Sequence, residues 1–224
     1  MPVPTTGLIL AGGRSSRMGR NKALLPLPAS QPDSVANAPT LLDHMQALLR
    51  QAGCIDVLIS GAEVGGLADR VADAGPLAGI DSALTVLTGA TKSPHTDLQH
   101  TDLQNKDPRY TQPQQLLVVP VDMPALSPRL LQELCVAAAG RCALHYEDWL
   151  LPFVLPLSAS FSETLPATVA AMLRTESNRS IRALLQQLGA QTLPVPANAA
   201  AQFYNLNTPQ EWQQWCADAA GVRS

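Results

Sequence analysis

Short apolar runs at residues 8–11, 54–60 and 115–121 are each followed, past glycine or proline, by a segment with helical spacing. Each run is too short for a core helix and lacks a helical period, so each reads as a buried strand. Strands alternating with helices predict a mainly parallel sheet with helices on both faces, joined by right-handed crossovers. The helical segments carry their own punctuation. Over residues 39–53, Thr40 and Asp43 stand at capping-box spacing, Leu41, Met45, Leu48 and Leu49 share a face, and Gly53 follows the end. Over 127–140, Ser127 and Pro128 give a start and Gly140 a stop. After "GPLAG", the spacing of Ile80, Leu84 and Leu87 predicts another helix that Gly79 opens, and a short strand is expected at residues 70–72.

Further along, residues 142–146 and 149–157 read as strands, and residues 161–174 and 179–188 as helices. Thr208, Pro209 and Glu211 begin a last helix with a second capping box and proline at its first position. No linker divides the chain, which is expected to form one domain over residues 1–224. Near residues 91–114 the pentapeptide "HTDLQ" occurs twice in tandem within a polar, low-complexity insertion. It offers no apolar face to bury, so a mobile surface excursion is expected there, with a second loop of similar character at 28–39.

Composition narrows the function classes. Hydrophobic residues at 46% against 15% charged place the chain among globular proteins rather than disordered ones. A net charge of −3 argues against a wholly basic surface, and no aromatic residue interleaves with the basic residues near the N-terminus, so a nucleic-acid partner is not expected. The first residues lack a charged leader pattern and no apolar run reaches the roughly 20 residues of a membrane span, which predicts a cytoplasmic protein with no membrane partner. Cys54, Cys135, Cys142 and Cys216 are scattered without C-x-x-C spacing and read as reduced core residues.

Against that acidic background, residues 8–22, "LILAGGRSSRMGRNK", collect Arg14, Arg17, Arg20 and Lys22 beside the first strand, with no acidic residue before Asp33. In a parallel sheet the loop leaving the first strand lies on the ligand-binding edge. Gly12 and Gly13 let backbone N–H groups approach an anion, and Arg14, Arg17 and Lys22 add charge-assisted hydrogen bonds, so a polyphosphate is the expected ligand. The spacing excludes two familiar phosphate loops. Gly13 and Gly19 are six apart with Lys22-Ala23 beyond, which is not a P-loop, and "GGRSSRMG" is not the dinucleotide fingerprint. Asp122 closes the strand at 115–121 and should emerge on the same edge, where a carboxylate suits magnesium or forms an Asx turn.

The stretch "LAGGRSSRMGRNKALL" resembles the signature of the molybdenum cofactor guanylyltransferases, and "GPLAGI", "VPVDMPAL", "NRSIRALL" and "FYNLNTPQEW" match the same family in order. The resemblance implies a Rossmann-like three-layer αβα sandwich of the nucleotide-diphospho-sugar transferase type. It implies transfer of GMP from GTP to the terminal phosphate of Mo-molybdopterin, with release of pyrophosphate and a requirement for Mg2+. It also raises molybdenum-insertion proteins and molybdoenzyme chaperones as partners. On this reading Leu10, Ala11 and Gly12 hold the guanine and ribose side. Gly13, Arg17 and Lys22 meet the triphosphate, Asp122 holds the metal, and Ser60, Asp73 and Gly79 line the nucleotide. Arg179 and Arg182, three apart on a helix, would meet the acceptor's phosphate or form a solvated face. Asn205 and Asn207, alternating on a strand, would border acceptor and metal or cap the following helix.

The sequence also departs from the family pattern. Asn21 stands where aspartate is frequent, which removes a charge and is expected to loosen a loop contact. Ser60 replaces a frequent asparagine, Asp73 stands closer than usual to Gly75, and "LLPFV" at 150–154 replaces a stretch that commonly carries His-Pro. A cytidylyltransferase acting on the same pterin shares the loop but usually reads "LAAG", so "LAGG" and "GPLAGI" favour guanine. A non-catalytic nucleotide-binding regulator would keep the glycine loop without the Asp122 site.

Overall fold

A computed structural model describes residues 3–12, 21–27, 38–89, 114–158, 161, 163–175 and 178–221, with only the backbone for the last three. Six strands form one sheet: β1 (Thr5–Leu10), β2 (Asp56–Ser60), β3 (Gln115–Pro120), β4 (Leu144–Tyr146), β5 (Phe153–Pro156) and β6 (Gln191–Leu193), in the order β2-β1-β3-β5-β4-β6. β1 pairs in parallel with β2 and β3, and β4 with β6, while β5 runs antiparallel to both β3 and β4. The mainly parallel sheet is as expected; the reversed β5 and the short β6 are additions to it.

Strand alternation divides the core in two. On one face Ile9, Leu117 and Val119 pack with α1 (Leu41–Gln51) and α3 (Pro128–Ala138). On the other, Leu8, Leu10, Leu116 and Val118 pack with α2 (Pro76–Leu87), α4 (Thr164–Arg174) and α5 (Ile181–Gln187). The last helix, α6 (Pro209–Gly221), lays Trp212 against the α1/α3 side. Because consecutive residues of β1 and β3 face opposite ways, both strands are buried along their whole length. Helices on both sides of the sheet make the three layers.

The capping box at the start of α1 forms as its residues dictate. Thr40 Oγ1 accepts from Asp43 N–H at 3.2 Å, and Asp43 Oδ2 accepts from Thr40 N–H at 2.8 Å. The Thr40 backbone N–H, and after it the Thr40 hydroxyl, which donates to Asp43 Oδ2 at 2.8 Å and is lost in Thr40→Ala, hold the Asp43 carboxyl below its ordinary value. Thr40→Ala is expected to cost about 1 kcal/mol in urea unfolding with an unchanged m value. A carboxyl lowered in the folded state stabilises above its unfolded pKa and loses that contribution as pH falls through the folded value. The deficit of Thr40→Ala should therefore be constant at neutral pH and shrink below about pH 4.

Several local expectations change. Residues 70–72 form no strand; after β2 the chain makes a single bridge, Ser60 with Leu67, and then turns. The reason is polar. Arg70 Nη1 donates to Thr85 Oγ1 at 2.6 Å and to Asp81 Oδ2 at 3.4 Å, and Ser82 Oγ donates to Ala68 C=O at 2.9 Å, so this loop is bound to α2 instead of to a strand. Burial pushes the Asp81 carboxyl above its usual value against the opposing pull of Arg70. Gly79 does not open α2: Gly75, at φ 63°, is the residue before it and Pro76 the first helical residue. Arg179 is not on α5, because Ser180 is its N-cap, accepting from Ala183 N–H. The "HTDLQ" insertion up to residue 113, and residues 28–37 of the other loop, lie outside the described residues.

Candidate active site

The carboxyl ends of β1, β2 and β3 meet at one edge. Beyond the paired strands, Ala11 N–H donates to Ser60 C=O at 3.0 Å and Val121 N–H to Leu10 C=O at 3.1 Å. Leu10, Ala11 and Gly12 are thereby held between the ends of β2 and β3, with Asp122 the next residue past the last of these bonds. Leu10 and Ala11 are buried, while Gly12 is exposed. A Cβ on Gly12 would meet only ordinary contacts, the nearest being Ser60 Oγ at 3.6 Å. Among the described residues, packing therefore does not require glycine there.

Packing does require glycine at two neighbouring positions, Gly61 and Gly79. Gly61 has φ 125°, and a Cβ on it would stand 3.0 Å from Gly12 N. A Cβ on Gly79 would stand 2.7 Å from Ser60 Cβ and 3.4 Å from Leu10 Cδ2, so the first turn of α2 lies against the ends of β1 and β2. Ser60 is accordingly buried beneath α2. Gly79→Ala is expected to cost on the order of 1–3 kcal/mol from overpacking, read by urea unfolding, because Ser60 Cβ is fixed to the β2 backbone and cannot turn aside as its hydroxyl can. The same substitution pushes α2 off the strand ends that carry Gly12 and should raise the KM for nucleotide. Asp73, exposed and at φ 54°, lies two residues before Gly75 in the turn that leads into α2.

Lys22 joins the other side of this edge. It begins a single 3-10 turn, Lys22–Leu24, which Asn21 caps by accepting from Ala23 N–H at 3.0 Å. The Asn21 amide oxygen therefore makes a loop contact beside Lys22. Lys22 Nζ donates to Asp122 Oδ2 at 3.2 Å and to Asn207 Oδ1 at 3.0 Å. The ion pair is largely enclosed, with side-chain exposures of 15% and 23%. Three segments that lie 100 and 185 residues apart in sequence meet on one ammonium group.

The third segment is not a strand. Asn205 and Asn207 stand in an irregular stretch fixed by its neighbours: buried Phe203 stacks on Trp149 at 5.0 Å between ring centroids, Leu206 is buried, and Leu206 N–H donates to Asp122 C=O at 2.8 Å. His44 Nε2 donates to Pro124 C=O at 2.9 Å, which ties α1 to the loop that carries Asp122. Gly13, Arg14, Arg17 and Arg20 lie outside the described residues. Arg179 Nε donates to Leu173 C=O at 3.0 Å at the end of α4, and Arg182 is exposed on α5. Among the described residues no hydrogen bond or ion pair joins either arginine to Lys22, Asp122 or Asn207.

The donor set suits a hard cation. Asp122 offers a carboxylate, Asn207 an amide oxygen, and Asn205 Oδ1 is buried with no hydrogen-bond partner among the described residues. Among the described residues no three His, Cys, Asp or Glu side chains gather as a metal cage. One carboxylate completed by substrate phosphates and water is the usual shell of magnesium, so these residues fit that ion.

Known proteins share this arrangement of sequence and fold. The chain is 40% identical over 213 residues, 94% of both chains, to a molybdenum cofactor guanylyltransferase of Xanthomonas euvesicatoria, and 27% identical over 219 residues to a probable molybdenum cofactor guanylyltransferase of Opitutus terrae, with 92% of this chain and 91% of that one covered. Among solved structures, the molybdopterin-guanine dinucleotide biosynthesis protein A of Archaeoglobus fulgidus superposes with a TM-score of 0.64 at 18% identity, over 96% of this chain and 99% of that one. The 2-C-methyl-D-erythritol 4-phosphate cytidylyltransferase of Thermus thermophilus superposes with a TM-score of 0.53 at 18% identity, over 95% and 97%. These structural likenesses carry the fold: a Rossmann-like αβα nucleotidyltransferase sandwich. The family model described as the MobA-like NTP transferase domain matches residues 7–192. With that match over most of its length and a 40% identical relative across nearly all of it, the chain belongs to the MobA-like nucleotidyltransferases.

Proposed function

We propose that this enzyme transfers GMP from GTP to the terminal phosphate of Mo-molybdopterin, forming molybdopterin guanine dinucleotide and releasing pyrophosphate. The observation that carries the reading is the convergence of Lys22, Asp122 and Asn207 at the strand edge where Val121 bonds the end of β1. The 40% identical relative supports guanine and the pterin as the two substrates. We read residues 1–224 as one catalytic domain, since a single sheet takes strands from Thr5 to Leu193. No helix among the described residues is long and apolar enough to cross a membrane. We assign the reaction to the cytoplasm, and the four cysteines, all free thiols, suit a reducing compartment.

In the reaction an oxygen of the pterin phosphate attacks the α-phosphorus of GTP and forms the new P–O bond. The bond from that phosphorus to the bridging oxygen breaks, and its electron pair leaves with pyrophosphate. The attacking phosphate is already ionised near neutral pH, so no strong general base is needed. Positioning and charge neutralisation therefore supply most of the acceleration. Backbone groups of Leu10, Ala11 and Gly12 orient the nucleoside, with Ser60, Asp73 and Gly79 shaping that side of the site. Lys22, together with Gly13 and Arg17, meets the phosphates, and its ammonium stabilises charge on the departing pyrophosphate. Asp122 is the residue that would hold magnesium, which when bound neutralises phosphate oxygens and orients them. Asn205 and Asn207, with Arg179 and Arg182, are assigned to the acceptor side.

Pyrophosphate release with Mo-molybdopterin and magnesium, compared among GTP, CTP and ATP, tests the assignment. GTP is expected to be the preferred donor by kcat/KM. Preference for CTP would replace guanylyl with cytidylyl transfer, and nucleotide binding without turnover would favour a regulator.

A further inference from the structure

Glu211 lies in the first turn of α6, where its expected task is to complete the capping box with Thr208. Its carboxylate does more than that. Oε2 accepts from Thr208 N–H at 2.9 Å and from Asn207 N–H at 2.6 Å, while Oε1 accepts from the Tyr204 hydroxyl at 2.9 Å. One side chain thus grips the segment 204–208 at both ends. Among the described residues a single backbone hydrogen bond, from Leu206 N–H to Asp122 C=O, ties residues 204–207 to another part of the chain. Asn207 is itself exposed, so the placement of its amide depends on the backbone that carries it and on Lys22.

We propose that Glu211 is a positioning residue for the transfer reaction: by fixing the backbone of Asn207, it sets the amide oxygen that holds Lys22 Nζ against Asp122. The proposal rests on the reading of Lys22, Asp122 and Asn207 as the reacting site. The Asn207 N–H is the largest influence holding the Glu211 carboxyl below its usual range, which agrees with that bond being well made.

Helix capping and positioning can be separated, because this chain also contains the shorter version of the device. In α1 an aspartate, Asp43, fills the equivalent place and caps Thr40 unaided. Glu211→Asp should therefore keep the cap on Thr208 while losing the reach to Asn207 and Tyr204. Glu211→Gln keeps the length: its amide oxygen still accepts from both backbone N–H groups, and its amide N–H donates to the Tyr204 oxygen.

The test is steady-state pyrophosphate release with Mo-molybdopterin, together with thermal unfolding, for wild type, both Glu211 variants and Lys22→Met. Glu211→Asp is expected to unfold at the wild-type temperature, to keep its KM for GTP within about twofold, and to lose about tenfold in kcat, since small misplacements of reacting groups carry costs of that order or more. Glu211→Gln should retain kcat within about threefold of wild type. A wild-type kcat in Glu211→Asp would overturn the proposal, and beside an impaired Glu211→Gln would point to charge instead of placement; equal losses in both variants would overturn it too, because placement requires the full-length glutamine to be spared. Full turnover by Lys22→Met would overturn the underlying site as well. A crippled Lys22→Met beside an unimpaired Glu211→Asp would remove the positioning role alone.

Discussion

Asp122→Ala is expected to lower kcat/KM for guanylyl transfer by about 10²–10³-fold or more, the range seen when one preorganised electrostatic group is removed from a reacting site. The fold should survive. Asp122 is only partly buried, lies just beyond β3, and gives its backbone carbonyl, not its side chain, to Leu206. Circular dichroism and the urea midpoint should therefore stay near wild type while turnover collapses. The loss has two sources. Removing the carboxylate takes away the acidic group that pairs with Lys22 among the described residues, and with it the anionic oxygen that fits magnesium. Asp122→Asn keeps an oxygen in place but not the charge, so it should be impaired less than alanine yet remain far below wild type. Full turnover in either variant would remove Asp122 from the mechanism.

Lys22→Met should cost about 10²-fold in kcat/KM with a raised KM for GTP, because the compact ammonium neutralises charge on the phosphates both when nucleotide binds and when pyrophosphate leaves. Methionine is close to lysine in length and apolar bulk, so the substitution isolates the charge. Lys22→Arg should not rescue it. One ammonium nitrogen sits 3.2 Å from Asp122 Oδ2 and 3.0 Å from Asn207 Oδ1, on oxygens that come from two different loops. A planar guanidinium spreads its donors over a rigid fork and is larger, so it cannot take that single point between them. Wild-type kinetics in Lys22→Arg would show that positive charge alone matters at this position.

How much of this was readable in the residues depends on the range of the interactions involved. The caps at Thr40 and Ser127 and the box at Thr208 were legible because each is settled by side chains within three residues of the backbone they bind. The strands at β1, β2 and β3 were legible as apolar runs, and their burial on both faces follows from helices covering both sides. The direction of β5 was not, since antiparallel pairing with β3 and β4 is decided by where the chain returns to the sheet and not by its own residues. The strand expected at 70–72 failed because Arg70 finds Thr85 and Asp81 on α2, a contact no local pattern announces. For Asn205 and Asn207, the alternating pattern suggested a strand, but the buried anchors Phe203 and Leu206 fix the segment without one.

The site shows the same division. Gly12 and Gly79 were singled out and Gly61 was not, yet a Cβ on Gly61 would stand 3.0 Å from Gly12 N, where only backbone fits. The Ser-Gly step at the end of β2 was a local signal for a turn and could have directed attention to Gly61. The meeting of Lys22 with Asp122 and Asn207 spans most of the chain, so no periodicity reveals it; the family resemblance named the residues, and the fold brings these three together. The same resemblance named Arg179, which donates to the end of α4, and Arg182, which is exposed on α5.

The most direct measurement is a crystal of the protein grown with GTP and Mn2+ in place of magnesium, with data collected for anomalous scattering by manganese. The site described here predicts an anomalous peak in direct coordination of the Asp122 carboxylate and of the nucleotide phosphates, with Lys22 Nζ on the same phosphates. A metal and triphosphate bound at another edge of the sheet, away from Asp122, would contradict it.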